Sequence, residues 1–140
     1  MILHAGLIAR RLNGYWHGVL IEGPSGAGKS DLALRALDLG FRLVSDDRTQ
    51  VFAAGGRLFG RAPDSLSGQI EVRGLGVIRI VPLHLAQITL VVRCVSNIDQ
   101  VERFPALRDI ELRGVTIPSL DIWPHAAGAT QMLNRALETL

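Results

Sequence analysis

Apolar positions along the chain fall into short runs, and their spacing predicts the elements. Leu3–Ala9 reads as a short strand, and Asn13-Gly14 behind it is a strong turn signal, so a strand starting just after it closes a hairpin. His17–Glu22 has the apolar centre of a buried strand and runs straight into a glycine-rich stretch. Ser30–Leu39 follows, with Leu32, Ala33, Ala36 and Leu37 spaced to line one helical face and Gly40 placed to end the helix. Phe41–Ser45 is the next strand, with Asp46-Asp47 at its carboxyl end. Beyond it the period shortens. Val51–Phe52, Arg57–Phe59, Ile70–Val72, Val77–Pro82 and Ile88–Val95 all read as short strands, punctuated by Gly55-Gly56, Pro63-Asp64 and Gly74. Asp99–Phe104 and Ile110–Gly114 are ambiguous. Gln131–Leu140 returns to helical spacing, with Met132, Leu133, Ala136, Leu137 and Leu140 on one side. The pattern is α/β: a βαβ nucleotide unit followed by a strand-rich region, without repeats, low-complexity stretches or linkers.

Composition narrows this picture little. The 140 residues fit one domain, and a hydrophobic fraction of 48% is enough for a core. Aromatics are only 5%, so aliphatic residues do most of the packing. The net charge of +2 is spread over scattered arginines with no basic tract, which speaks against nucleic-acid binding. No apolar segment is long enough to span a bilayer, and Met1–Arg11 lacks the cleavage pattern of a signal peptide. A single cysteine, Cys94 in the apolar run Val91–Val95, reads as a small buried residue and fits a reducing, cytoplasmic home.

The strongest chemical signal is Gly23-Pro24-Ser25-Gly26-Ala27-Gly28-Lys29-Ser30, which matches G-x-x-x-x-G-K-[ST] at every fixed position. Gly26 and Gly28 allow backbone conformations that let successive N–H groups curl around phosphate oxygens. The helix that starts there turns its N-terminal N–H groups to the same anion. Lys29 supplies a mobile positive charge for the β- and γ-phosphates, and the Ser30 hydroxyl suits Mg²⁺. The motif specifies a nucleoside triphosphate such as ATP with Mg²⁺, and leaves the reaction open. Asp46-Asp47 closes the gap if its strand neighbours the one ahead of the loop. One carboxylate then holds Mg²⁺, and the other is a general base on an acceptor hydroxyl. A pair of strand-end turn residues is the alternative.

Gly23–Asp31, then Leu-Ala-Leu, then Gly-Phe-Arg-Leu-Val-Ser-Asp-Asp resembles the catalytic domain of the HPr kinase/phosphorylase family. Gln69–Ile80 (Gln-Ile-Glu-Val-Arg-Gly-Leu-Gly-Val-Ile-Arg-Ile) resembles that family's own signature, in the family's order and at nearly its spacing. The resemblance runs from about His4 to about Pro118. It implies a P-loop core with a strand-rich mixed sheet. It also implies a cytoplasmic, ATP- and Mg²⁺-dependent kinase that phosphorylates a serine of HPr or a related phosphocarrier protein, with removal of that phosphate by phosphorolysis. On this resemblance Asp47 is the base, Lys29 clamps the phosphates, and Ser30 and Glu71 bind Mg²⁺. His4 matches a catalytic histidine and Arg103 an active-site arginine. The family's hexamers imply a homo-oligomer. Read without it, Glu71 and Arg73 share one face of a strand and serve equally as a solvated face.

Four departures accompany the resemblance. The chain, 1–140, is expected to be a single P-loop kinase domain with the family's amino-terminal domain absent. Extra residues within Arg10–His17 leave His17 as a rival to His4. The stretch Ile117–Gly128, matching an arginine- and glycine-containing loop that serves dephosphorylation in the family, carries no arginine. The C-terminal helix, which helps dock the partner in the family, is short. A small-molecule kinase or NTPase and a non-catalytic ATP sensor are the competing readings.

Overall fold

The long apolar strands of this chain bury successive side chains, so the sheet they build must be covered on both faces. The computed structural model describes residues 1–103 and 106–140. The first part runs β1 (Ile2–Leu3), β2 (Ala5–Leu12), β3 (Tyr15–Glu22), α1 (Lys29–Leu37) and β4 (Arg42–Ser45). It continues with β5 (Thr49–Ala54), β6 (Arg57–Arg61), β7 (Gln69–Val72), β8 (Gly76–Arg79) and β9 (Ala86–Cys94). The chain closes with β10 (Arg108–Leu112), β11 (Val115–Ile122) and α2 (Ala129–Glu138).

Among the described residues, nine strands join in one mixed sheet, and β7 and β8 form a separate hairpin. Its central part has the order β10-β11-β9-β3-β2-β4, with β9 parallel to both β3 and β11. At its start β9 pairs instead with β6, which leads to β5 and β1. That second arm covers one face of the centre, enclosing Leu7, Leu20, Val44, Val51, Leu58 and Val91. The helices cover the other face, over Ile8, Val19, Ile21, Leu32, Leu90 and Leu133. Gly18 permits the closest strand contact. A Cβ there would lie 2.5 Å from the Gln87 carbonyl oxygen.

The hairpin at Asn13-Gly14 forms with both residues at positive φ, and the expected helix runs from Lys29 to Leu37 with Gly40 at φ 90° beyond it. Two expectations change and two ambiguous segments are described. The strands before and after α1 are not neighbours: β2 lies between them, antiparallel to each. They still run in the same direction, so both carboxyl ends reach one edge of the sheet. Ile110–Gly114 resolves into the end of β10 and a turn at Arg113-Gly114. Much of Ile117–Gly128, matched to a loop in the sequence, is strand β11, with only residues 123–128 left as a turn. Of Asp99–Phe104, residues 98–100 make a short 3-10 turn and Phe104 lies outside the described residues.

Candidate active site

The phosphate loop sits at the carboxyl end of β3, and its glycines take the conformations that the motif requires. Gly26 and Gly28 hold φ at 80° and 101°. Helix α1 starts from Gly28 with no side-chain cap, so its first N–H groups stay open to an anion. Lys29 is only 7% exposed, and its ammonium donates to the carbonyls of Gly23 and Pro24 at 2.8 and 3.0 Å. Beneath the loop lies Cys94, whose thiol burial pushes up from 9.0 to about 11, with Lys29 pulling weakly the other way.

A tight turn after β4 sends the two aspartates to different partners. The Ser45 hydroxyl donates to the Arg48 carbonyl, and the Arg48 N–H donates to the Asp46 carbonyl at 2.7 Å. Asp47 takes a left-handed conformation, φ 67°. Asp46 accepts from the Ser30 hydroxyl at 2.7 Å and from the main-chain N–H of Glu71 at 3.0 Å. Asp47 meets His4 instead, with Oδ1 and Nε2 2.6 Å apart and both side chains about half exposed. His4 is fixed where the chain crosses from β1, paired with β5, into β2. The buried Thr49 hydroxyl secures that crossing by donating to the Ala5 carbonyl. His17 lies on β3, opposite Arg10, with Nδ1 buried and unpartnered among the described residues.

His4, Lys29, Ser30, Asp47 and Glu71 line one cleft of about 570 Å³. Arg73, in the turn of the β7–β8 hairpin, shares the wall, as do Asp31 and Leu34 of α1. Arg103 is exposed in the segment between β9 and β10 and does not line the cleft. Among the described residues no three His, Cys, Asp or Glu side chains converge as a metal cage. Mg²⁺ in phosphoryl-transfer sites needs less: one or two protein oxygens, waters and the substrate phosphates. The adjoining oxygens of Ser30 and Asp46 fit that donor set. Glu71 touches Asp46 through its backbone N–H and is among the residues that line the cleft.

His125 lines the same cleft and escaped the sequence reading. Its signal was topological: it follows a parallel strand at the carboxyl edge, where ligands of α/β sheets bind. That signal needs β11 to be recognised as a strand first.

The family model described as the HPr Serine kinase C-terminal domain matches residues 4–122. The HPr kinase/phosphorylase of Streptococcus thermophilus is 39% identical over 120 residues, which cover 77% of this chain and 38% of that protein. The HPr kinase/phosphorylase of Clostridium tetani is 36% identical over 108 residues, covering 77% of this chain and 35% of its own length. The chain thus spans well under half the length of these relatives. The solved structure of the Hpr(Ser) kinase/phosphatase from Coxiella burnetii superposes with a TM-score of 0.83 at 21% identity, covering 99% of this chain and 95% of that one. At that identity the likeness speaks for the fold.

Proposed function

The chain belongs to the HPr Serine kinase C-terminal domain family, and on that premise we propose that it is an ATP-dependent serine kinase. Its acceptor is HPr or a related phosphocarrier protein, the partner that the names of its relatives carry. The observation that carries this reading is the division of labour between adjacent carboxylates: Asp46 on Ser30, Asp47 on His4.

Each residue then has a task. The loop amides from Gly23 to Ser30 and the ammonium of Lys29 hold the phosphates and neutralise charge as it shifts to the leaving oxygen. Ser30 and Asp46 would hold the cation, with Glu71 beside them. A divalent cation held there would supply charge screening for the phosphates. Asp47 accepts the proton of the attacking serine hydroxyl, and His4 orients that carboxylate. In the reverse direction Asp47 returns the proton to serine Oγ as inorganic phosphate takes the phosphoryl group. Arg103, exposed between β9 and β10, keeps its place as the active-site arginine on the family resemblance alone. The same family membership supports a cytoplasmic setting and a homo-oligomer. Among the described residues no helix is long and apolar enough to cross a membrane.

The test is transfer of label from ATP, with Mg²⁺, to purified HPr from the same source, comparing the natural chain with Asp47→Ala. We expect labelled HPr from the natural chain and a loss of about 10²–10⁴-fold in the variant. Unlabelled HPr sinks the kinase reading, and label that persists in the variant sinks the role of Asp47.

A further inference from the structure

His4 and Asp47 stand at one end of the cleft. His125 stands at the other, and the proposed chemistry gives it no task. The ring is exposed, and its Cε1 lies 3.3 Å from the point a Cβ on Gly28 would occupy. Pro124 Cγ lies at the same distance, so both rings rest against the last glycine of the phosphate loop. Arg35 anchors this turn. It donates to the carbonyls of Pro124 and Ala126 and is braced by Asp31 at 3.1 Å, one turn back along α1. Trp123 packs edge-on to the imidazole, the centroids 6.0 Å apart. The turn is therefore mounted on the helix that the phosphate loop opens.

Strand order tells which end of a nucleotide comes here. The loop leaves β3. Asp46 and Asp47 leave β4, on the β2 side of β3. His125 leaves β11, on the β9 side. The two groups flank the loop from opposite directions. A triphosphate whose terminal phosphorus faces Asp47, with its cation on Ser30 and Asp46, must send its nucleoside the other way. What waits there is suited to a nucleoside: the exposed His125 ring offers an edge for ribose hydroxyls and a flat face for a base. We propose that the turn 123–128 is the nucleoside end of the cleft and that His125 contacts the nucleoside, not the phosphates. This rests on the phosphate-loop reading above.

The experiment titrates the full chain by calorimetry with Mg-ADP and, separately, with Mg-tripolyphosphate. It is run on the natural protein, His125→Ala and His125→Gln, each checked by its melting midpoint without ligand. His125→Ala should bind ADP about tenfold more weakly, the worth of a hydrogen bond or a stacked ring. Its tripolyphosphate affinity should stay within about twofold, and His125→Gln should recover part of the ADP affinity. Equal weakening of both ligands makes His125 a phosphate contact and overturns the proposal. Unchanged ADP binding in both variants overturns it as well. A natural protein that binds neither ligand overturns the phosphate-loop reading itself, and this proposal with it.

Discussion

Asp47 sits at φ 67°, where an L-residue bears about 1–2 kcal/mol of backbone strain, and Asp is among the residues that bear it best. The strain turns the carboxylate away from Asp46 and toward His4. Asp47→Gly relieves it, so we expect a melting free energy within about 1 kcal/mol of the natural chain together with loss of phosphotransfer. A large drop in stability would instead make the His4 contact a structural one. Cys94 yields a prediction of a different kind. Its folded pKa is raised to about 11 from 9.0, so the folded state holds the thiol proton more tightly than the unfolded chain. The resulting stability is full below pH 9 and is lost as pH rises through 11. Urea titrations between pH 8 and pH 11 should show the natural chain losing more stability than Cys94→Ala across that window. Equal slopes would refute the assignment. The sequence reading found both residues, because a motif and an apolar run mark them. Different roles for Asp46 and Asp47 were legible there, but not the partner each meets, since that depends on one backbone angle.

At the scale of elements, the β7–β8 hairpin packs on the helix-side core through Ile70, with Ile78 partly buried beside it. It is off the main sheet, and Ile70 is its fully buried side chain in that core. Ile70 also sits next to Glu71, whose N–H braces Asp46. Ile70→Ala should cost about 2–4 kcal/mol in urea unfolding and lower transfer activity even under conditions where the protein remains folded. Activity preserved in the folded variant would show that the hairpin does not set Asp46. Gly18→Ala tests the central strand pair. Its Cβ would press on backbone, the Gln87 carbonyl, which cannot swing aside, so we expect destabilisation of about 1–3 kcal/mol. Its two strands were legible as Ile70–Val72 and Val77–Pro82 around Gly74, within the Gln69–Ile80 signature. The strand β11 went unread because Pro118, Ser119 and Asp121 break its apolar run, although Pro118 faces the edge partner β10, not β9.

For the whole molecule, the cleft is assembled from distant pieces: His4 near the start, the loop after β3, the end of β4, β7, and the turn after β11. A ligand that binds all of them binds only the folded chain, so Mg-ATP at a hundredfold over its Kd should add about 2.7 kcal/mol. That corresponds to a rise in melting midpoint on the order of 10 °C, and removing the metal with EDTA should abolish most of it. A midpoint indifferent to Mg-ATP would deny the site. Gly23–Ser30, the helix behind it, the Asn13-Gly14 hairpin and the aspartate pair were all legible in the sequence. They depend on backbone conformation and periodicity, properties of residues close along the chain. The placing of β2 between β3 and β4, the choice of His4 over His17 as the partner of Asp47, and the arrival of His125 beside Gly28 were decided only in three dimensions. Each follows from burying both faces of one curled sheet, a condition that joins segments far apart in the chain and leaves no local mark on any of them.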